Sequence, residues 1–403
     1  MRELFSIDLK NYNPMGKVNS RPGVRGIIEK GGKILVIHSK KYDYYMLPGG
    51  GKKKGETDSD TLIREIMEET GYTVIPSSIK EFGTVPRLQK DSLNEDEIYE
   101  QNSYYYFCDV ENEQGSQKLE DYEAEEGFEL EWVDPFLAYN HNKYHHEHGG
   151  EDMVVVRREG DVLNLIDLEF MKWARAARED EYIASLGNPA YFEMLKYVES
   201  ILAEGNTEKV GNKSEINYTR FEHTKRVLKF AKKLYDMTDD KIGIIYDDLI
   251  IATIFHDVGR TSADRINISH AKAGVPITKE YLLAHGYDAK RVDYIGSLVE
   301  CHSDKWRMKD PASMDRNLLM LMEADLLDDM GAAGIVMDCM ITEKRNPDAM
   351  FLDCLDHIIR YTKRLSEENP MVTKEARALW EEKRLLVNKF TDALSDDIEL
   401  SLR

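Results

Sequence analysis

Apolar residues along this chain follow two different rhythms. In the first third they come in short β-branched runs: VRGIIEK (24–30) and KILVIHSK (33–40) flank Gly31-Gly32, a turn signal that predicts a hairpin of two paired strands. SYYYFCDV (103–110), FELEWVDP (128–135) and MVVVRRE (153–159) carry the same strand-like character. From about Ser59 to Thr70 the spacing turns helical, with a glycine stretch at Gly49 to Gly51 ahead of it and Gly71 where a C-terminal cap belongs.

The second rhythm begins near Leu168. LEFMKWARAARE (168–179), YFEMLKYVESIL (191–202) and TKRVLKFAKKLY (224–235) repeat apolar residues at helical spacing. Asn188-Pro189 suits a helix start, with Asn as N-cap and Pro at the first helical position. The expected architecture is α/β followed by all-α: a mixed domain over residues 1–171, a helical linker over 172–188 and a helical domain over 189–403.

Composition narrows the classes of function. At 403 residues the chain fits two domains better than one, and 42% hydrophobic residues supply enough apolar material for two cores. With 75 acidic against 54 basic residues the formal net charge is -21, which repels nucleic acid and anionic membranes, and no long basic tract reverses that field. Small molecules are left as the expected partners, with self-association into a homo-oligomer as a further expectation. No stretch approaches the roughly eighteen apolar residues of a membrane span. The N-terminal MRELFSIDLKNYNP has charges where a signal peptide needs an apolar core, so the expected compartment is the cytoplasm. Cys108, Cys301, Cys339 and Cys354 form no Cys-x-x-Cys pair, which removes a zinc ribbon or thioredoxin-like motif and leaves reduced thiols.

The richest chemistry lies in GGKKKGETDSDTLIREIMEETGY (50–72). On a helix Glu65, Glu68 and Glu69 fall at i, i+3 and i+4, so three carboxylates leave one face within reach of a shared ion. Such crowding is repulsive without a cation, and oxygen ligands suit Mg2+ or Mn2+. Arg64 is placed to orient a neighbouring carboxylate through Glu56, and Lys52, Lys53 and Lys54 either draw in a polyphosphate or are plain solvated charge.

These residues fill every fixed position of Gly-x5-Glu-x7-Arg-Glu-U-x-Glu-Glu-x-Gly-U, where U is apolar, and the segment resembles the Nudix box. Ile66 and Tyr72 take the U sites, Tyr72 in place of the usual aliphatic residue. The resemblance spans roughly residues 20–170 and implies a Nudix α/β/α sandwich that cleaves a nucleoside diphosphate linked to another moiety. It implies Glu65, Glu68 and Glu69 as metal ligands, joined by the Gly50 carbonyl, with Glu56 and Arg64 in support. Some relatives take an additional glutamate as base from a later loop, a role open to Glu123, Glu125 or Glu126.

In the helical half, His223 sits in RFEHTKRVLKFAKKL, His256-Asp257 closes LIIATIFHDVGR, and Asp325 lies in LMLMEADLLDDMGAAG. Imidazole plus carboxylate is a transition-metal ligand set. This arrangement resembles the HD phosphohydrolase superfamily over about residues 188–403, whose signature is His, then His-Asp, then Asp on separate helices. The resemblance implies His223, His256, Asp257 and Asp325 as metal ligands, the metal being manganese, iron, cobalt, nickel or zinc. Members holding two metals add two histidines, for which His270 and His302 fall in suitable places. Asp257 is also a candidate for proton transfer and Arg260 for holding a phosphate oxygen. Asp328 and Asp329 are expected in structural roles, and His141, His145, His146, His148, His285 and His357 are expected to face solvent.

Joining a diphosphate cleaver to a phosphoester cleaver suggests consecutive chemistry. The first domain would turn a nucleoside triphosphate, oxidised or otherwise non-standard, into monophosphate and pyrophosphate, and the second would dephosphorylate the monophosphate to nucleoside. Two alternatives stand beside it: an HD half acting on an unrelated cyclic nucleotide or dinucleoside polyphosphate, and a Nudix half acting as a nucleotide sensor. Intact Glu65, Glu68 and Glu69 speak against the sensor.

Overall fold

Strand β5 (Lys33–Ser39) shows in three residues how the first unit is layered. Ile34 and Val36 join one buried cluster and Leu35 joins another, as the period-2 alternation of a strand requires. The first cluster includes Val162, Leu163 and Ile166 of one helix, and the second includes Leu62 and Ile66 of another, so sheet lies between helical layers. The computed structural model describes residues 1–148, 154–204, 214–261 and 268–401, which divide into two units, Met1–Glu179 and Asp180–Arg403.

The other strands of the first unit are β1 (Ile7–Asp8), β2 (Lys17–Ser20), β3 (Gly23–Ile27), β4 (Glu29–Lys30), β6 (Tyr44–Met46), β7 (Gly49–Gly51), β8 (Tyr72–Val74), β9 (Lys80–Lys90), β10 (Glu97–Phe107), β11 (Val110–Gln114) and β12 (Phe128–Val133). One mixed sheet has the order β1-β9-β10-β3-β7, with β2 also on β10; a second has the order β12-β5-β4, with β6 on β5. Helices α1 (Asp58–Thr70), α2 (Asp121–Glu126) and α3 (Pro135–His148) complete it with the greater part of α4 (Val154–Ser185), whose last residues belong to the second unit.

The expected hairpin survives only in part. Gly31 and Gly32 take left-handed φ of 63° and 79° and join β4 to β5, but β3 leaves that pairing and runs between β10 and β7 in the other sheet. MVVVRRE is not a strand: Met153 lies outside the described residues, and Val154 opens α4. β-Branched propensity loses there to packing, because Val156, Val162, Leu163 and Ile166 share the buried side of one long helix.

The second unit is helical, as its spacing predicts: α5 (Ala190–Glu204), α6 (Ser214–Met237), α7 (Tyr246–Phe255), α8 (His270–Ala284), α9 (Ala289–Cys301), α10 (Arg316–Asp328), α11 (Ala332–Arg345), α12 (Phe351–Ile358), α13 (Arg364–Glu367) and α14 (Lys374–Ser401). Every residue of α7 from Asp248 to Phe255 is buried, so this helix runs through the core and delivers His256-Asp257 at its end. Among the described residues no helix is long and apolar enough to cross a membrane.

Candidate active sites

Helix α1 is fixed at both ends. Thr57 and Asp60 form a reciprocal capping box, and Gly71 closes the helix at φ 72°. The helix sets Glu65, Glu68 and Glu69 against the glycine strand β7. A Cβ added to Gly50 would lie 2.7 Å from the Glu65 carboxylate, so any other residue there would force that carboxylate to move. Glu69 Oε2 accepts the Gly49 N–H at 2.5 Å. Arg64 donates to Glu56 Oε1 at 2.7 Å, to Glu65 Oε1 at 2.6 Å, to Glu68 Oε2 at 3.1 Å and to the Gly51 carbonyl at 3.1 Å. Gly50, Glu56, Arg64, Glu65, Glu68 and Glu69 thus form one connected set.

Electrostatics in this set suit a cation. Burial pushes Glu69 well above the ordinary carboxylate range, against the pull of the Gly49 N–H and Arg25, and burial also raises Glu65. Glu56 goes the other way, to about 2, because Arg64 and the Lys53 N–H stabilise its charge. One guanidinium therefore serves three carboxylates, while Glu69 lies on a buried wall where Arg25 only partly offsets the cost of its charge. A cavity of about 260 Å³ opens there, lined by Arg25, Gly50, Glu69, Gln101, Tyr122 and Glu126 among others. Of the three glutamates open for a base, Glu126 lines this cavity. Glu123 is buried and accepts from Glu120 N and the Tyr122 hydroxyl, and Glu125 is exposed. Lys52 pairs with Asp58 at 2.6 Å, while Lys53 and Lys54 are exposed.

In the helical unit, α6 carries His223, the end of α7 gives His256 and Asp257, α8 begins with His270, α9 is followed by His302, and α10 carries Asp325. The fold brings all six together. His223 Nε2 lies 3.3 Å from His256 Nε2 and 3.1 Å from Asp325 Oδ1; His270 Nε2 lies 3.3 Å from His302 Nε2. Asp257 stands between the two groups. Its Oδ2 is 3.7 Å from His223 Nε2 and its Oδ1 is 3.2 Å from His270 Nε2 and 3.7 Å from His302 Nε2. Ligand atoms about 2.1 Å from a common ion sit roughly 3.0–3.4 Å apart, which matches the shortest spacings in each group.

The surroundings of these imidazoles fit metal ligation. Nδ1 of His256 and Nδ1 of His302 each donate to a backbone carbonyl, Thr253 and Val299, both at 2.7 Å. That leaves Nε2 of each as a lone pair aimed inward. Asp257 Oδ1 is buried and makes no well-aligned hydrogen bond among the described residues although His270 Nε2 lies 3.2 Å away, a place that a cation would satisfy. Burial lowers His256 to about 4. Burial would lower His223 too, but its hydrogen bonds to Asp325 and Asp328 raise it to about 9, so without metal a proton on His223 takes the place of positive charge. Burial pushes Asp257 up, and the surrounding imidazoles and Arg260 more than offset it, holding the group well below its ordinary range. Arg260 Nε donates to Asp257 Oδ2 at 2.5 Å.

Some residues around these sites escaped the sequence reading. Asp328 does not merely support the helix: its Oδ2 accepts Nδ1 of His223 at 2.8 Å and Arg226 grips both its oxygens. Its i+3 offset from Asp325 on α10 was the available signal, since positions three apart share a helix face. Lys305 donates to Asp325 Oδ2 at 2.8 Å, with no motif to announce it. His141 and His145 are half-buried rather than solvent-facing, because they hydrogen-bond around Asp43, whose φ is 52°, together with His38. His146 and His357 are half-buried as well, His285 is exposed, and the His148 side chain lies outside the described residues.

Comparisons with known proteins match the two stretches that hold these residues. The family model described as NUDIX domain matches residues 19–150, and that described as HD domain matches residues 220–330. An ADP-ribose pyrophosphatase of Methanocaldococcus jannaschii is 43% identical over 67 residues, covering 16% of this chain and 38% of that protein. A putative 8-oxo-dGTP diphosphatase of Bacillus subtilis is 26% identical over 149 residues, covering 35% of this chain and 89% of that protein. Among solved structures, an HD-superfamily hydrolase from Bacillus thuringiensis shares 17% identity and a TM-score of 0.36, covering 52% of this chain and 98% of the other.

Proposed function

The chain joins a NUDIX domain to an HD domain, two divalent-metal-dependent hydrolase families, and from that premise we propose that it hydrolyses a nucleotide in two steps at two separate sites. The NUDIX domain cleaves a nucleoside triphosphate to monophosphate and pyrophosphate, and the HD domain removes the remaining phosphate. An oxidised or otherwise non-standard nucleotide is the favoured substrate; the putative 8-oxo-dGTP diphosphatase among the relatives supports that choice.

The observation that carries the reading is the position of Asp257, one oxygen toward His223 and the other toward His270. In the NUDIX domain, Glu65, Glu68, Glu69 and the Gly50 carbonyl would hold Mg2+ or Mn2+, with Arg64 and Glu56 keeping the carboxylates in place. In the HD domain His223, His256, Asp257 and Asp325 would hold one transition metal, and Asp257, His270 and His302 a second. Such ions neutralise phosphate charge and make a bound water more acidic. Arg260, against Asp257, offers a guanidinium to a phosphate oxygen.

The test supplies Mg2+ or Mn2+ with a nucleotide panel and follows products by ion-exchange chromatography. Wild type yields nucleoside, pyrophosphate and phosphate. Asp257→Asn accumulates monophosphate, and Glu68→Gln with Glu69→Gln leaves triphosphate untouched. Free nucleoside from the Asp257 variant overturns the two-step scheme.

A further inference from the structure

Behind the cavity of the NUDIX domain lies a layer of cations that the metal ligands leave unexplained. The Arg158 side chain is 1% exposed, Arg25 14%, and Arg87 is 7% exposed as a whole residue. Glu159 is the carboxylate between them, 3.3 Å from Arg25 Nε and 2.8 Å from Arg158 Nη2. Arg87 lies close enough to Arg25 and Arg158 to be destabilised by their charge, and its Nε has no hydrogen-bond partner among the described residues. Arg25 also feels Glu69, but that carboxylate belongs to the metal face. Three guanidiniums to one carboxylate leave a buried positive layer in a chain whose net charge is -21.

Gln101 lies between that layer and the cavity. Its Oε1 accepts Arg158 Nη1 at 2.7 Å. A guanidinium only donates, so this contact fixes which end of the amide is oxygen and which is nitrogen. Gln101 Nε2 then has no partner among the described residues, while the side chain lines the cavity shared with Gly50 and Glu69. A Cβ built on Gly23 would lie 3.2 Å from the Gly50 carbonyl oxygen and 3.9 Å from Gln101 Nε2, so carbonyl and amide flank the same bare backbone. One wall of the cavity is carboxylate, and another is an oriented donor backed by positive charge.

We propose that Gln101 is a substrate-binding residue whose amide donates to a non-bridging oxygen of the diphosphate, on the wall away from Glu69. The assignment rests on the NUDIX domain taking a diphosphate substrate. An anion compensates the arginine layer, and nearness to Gly50 favours the diphosphate over the nucleobase as the group received. Arg158 is a positioning residue here, acting through the amide.

Two measurements on the full chain test it, both with Asp257→Asn to silence the HD site. Calorimetry with methylenediphosphonate and Mg2+ compares Gln101, Gln101→Leu and Gln101→Glu. Loss of a hydrogen bond to a charged oxygen predicts about 10-fold to 100-fold weaker binding for the Leu variant and a larger loss for Glu, which pairs with Arg158 yet repels phosphate. Steady-state kinetics with GTP, ATP and ADP-ribose then predict KM raised by a similar factor for every substrate. Equal binding by the three proteins, or a penalty confined to one nucleobase, overturns the proposal. Absence of turnover in the parent protein would refute diphosphate hydrolysis instead, and the calorimetric comparison would still decide Gln101.

Discussion

Nδ1 of His223 donates to Asp328 Oδ2 at 2.8 Å, on the side of the ring away from Nε2, the atom proposed to bind metal. The contact fixes the ring plane and makes Nε2 a better ligand. Asp328→Asn is expected to cost about 10-fold to 100-fold in metal affinity at the HD site, the range typical of such supporting groups. Titrating Mn2+ against phosphate release measures it, and pyrophosphate release by the NUDIX domain should not change. An unaltered Mn2+ requirement would remove Asp328 from the site.

The same histidine gives a pH signature. Its pKa rises from 6.5 unfolded to about 9 folded, so in metal-free protein its contribution to stability is complete below pH 6.5 and is lost as pH rises through 9. The contribution is on the order of 3 kcal/mol. Chelator-treated wild type should therefore lose stability between pH 7 and 10 relative to His223→Gln, as read by urea unfolding. Metal must also displace this proton, so uptake near pH 7 should release it and uptake above pH 9 should not. Parallel stability curves for the two proteins would refute the assignment.

Gly50→Ala should abolish pyrophosphate release, because the new Cβ would sit 2.7 Å from the Glu65 carboxylate and push it off the metal face. A loss of roughly 100-fold or more in kcat/KM is expected from misplacing a ligand that supports transition-state charge. Phosphate release by the HD domain, assayed on a monophosphate, serves as the internal control.

Glu159 is 0% exposed and pairs with both Arg25 and Arg158. Glu159→Leu leaves both guanidiniums buried without it and should destabilise the first unit by about 3–5 kcal/mol. Proteolysis under native conditions should then attack the first unit of the variant and spare the second. A variant as resistant as wild type would mean that the arginines find other partners.

The metal face of the NUDIX domain was readable because it is local: Glu65, Glu68 and Glu69 fall on one side of a capped helix whatever else the chain does. The HD set was readable only through its family pattern, since His223 and Asp325 meet across a fold that spacing alone cannot close. Arg158 and Glu159 were hidden in a valine-rich run that looks like a strand, and their partners Arg25 and Gln101 lie far away in sequence. Asp328 shows in the sequence only as an i+3 neighbour of Asp325, and its contact with His223 comes from the packing of α10 against α6. Likewise, Gly31-Gly32 correctly marked a turn, but no local signal says that β3 changes sheets after pairing begins.

Each unit is proposed to gather its own metal pocket, with Asp257 shared between two ions in the second. Crystals soaked in Mn2+ and measured at the manganese edge would test it directly by anomalous difference density. A peak is expected against Glu65, Glu68 and Glu69, and a pair of peaks about 3.5–4 Å apart on either side of the Asp257 carboxylate. Density absent from both places, or Asp257 turned away from every peak, would contradict it.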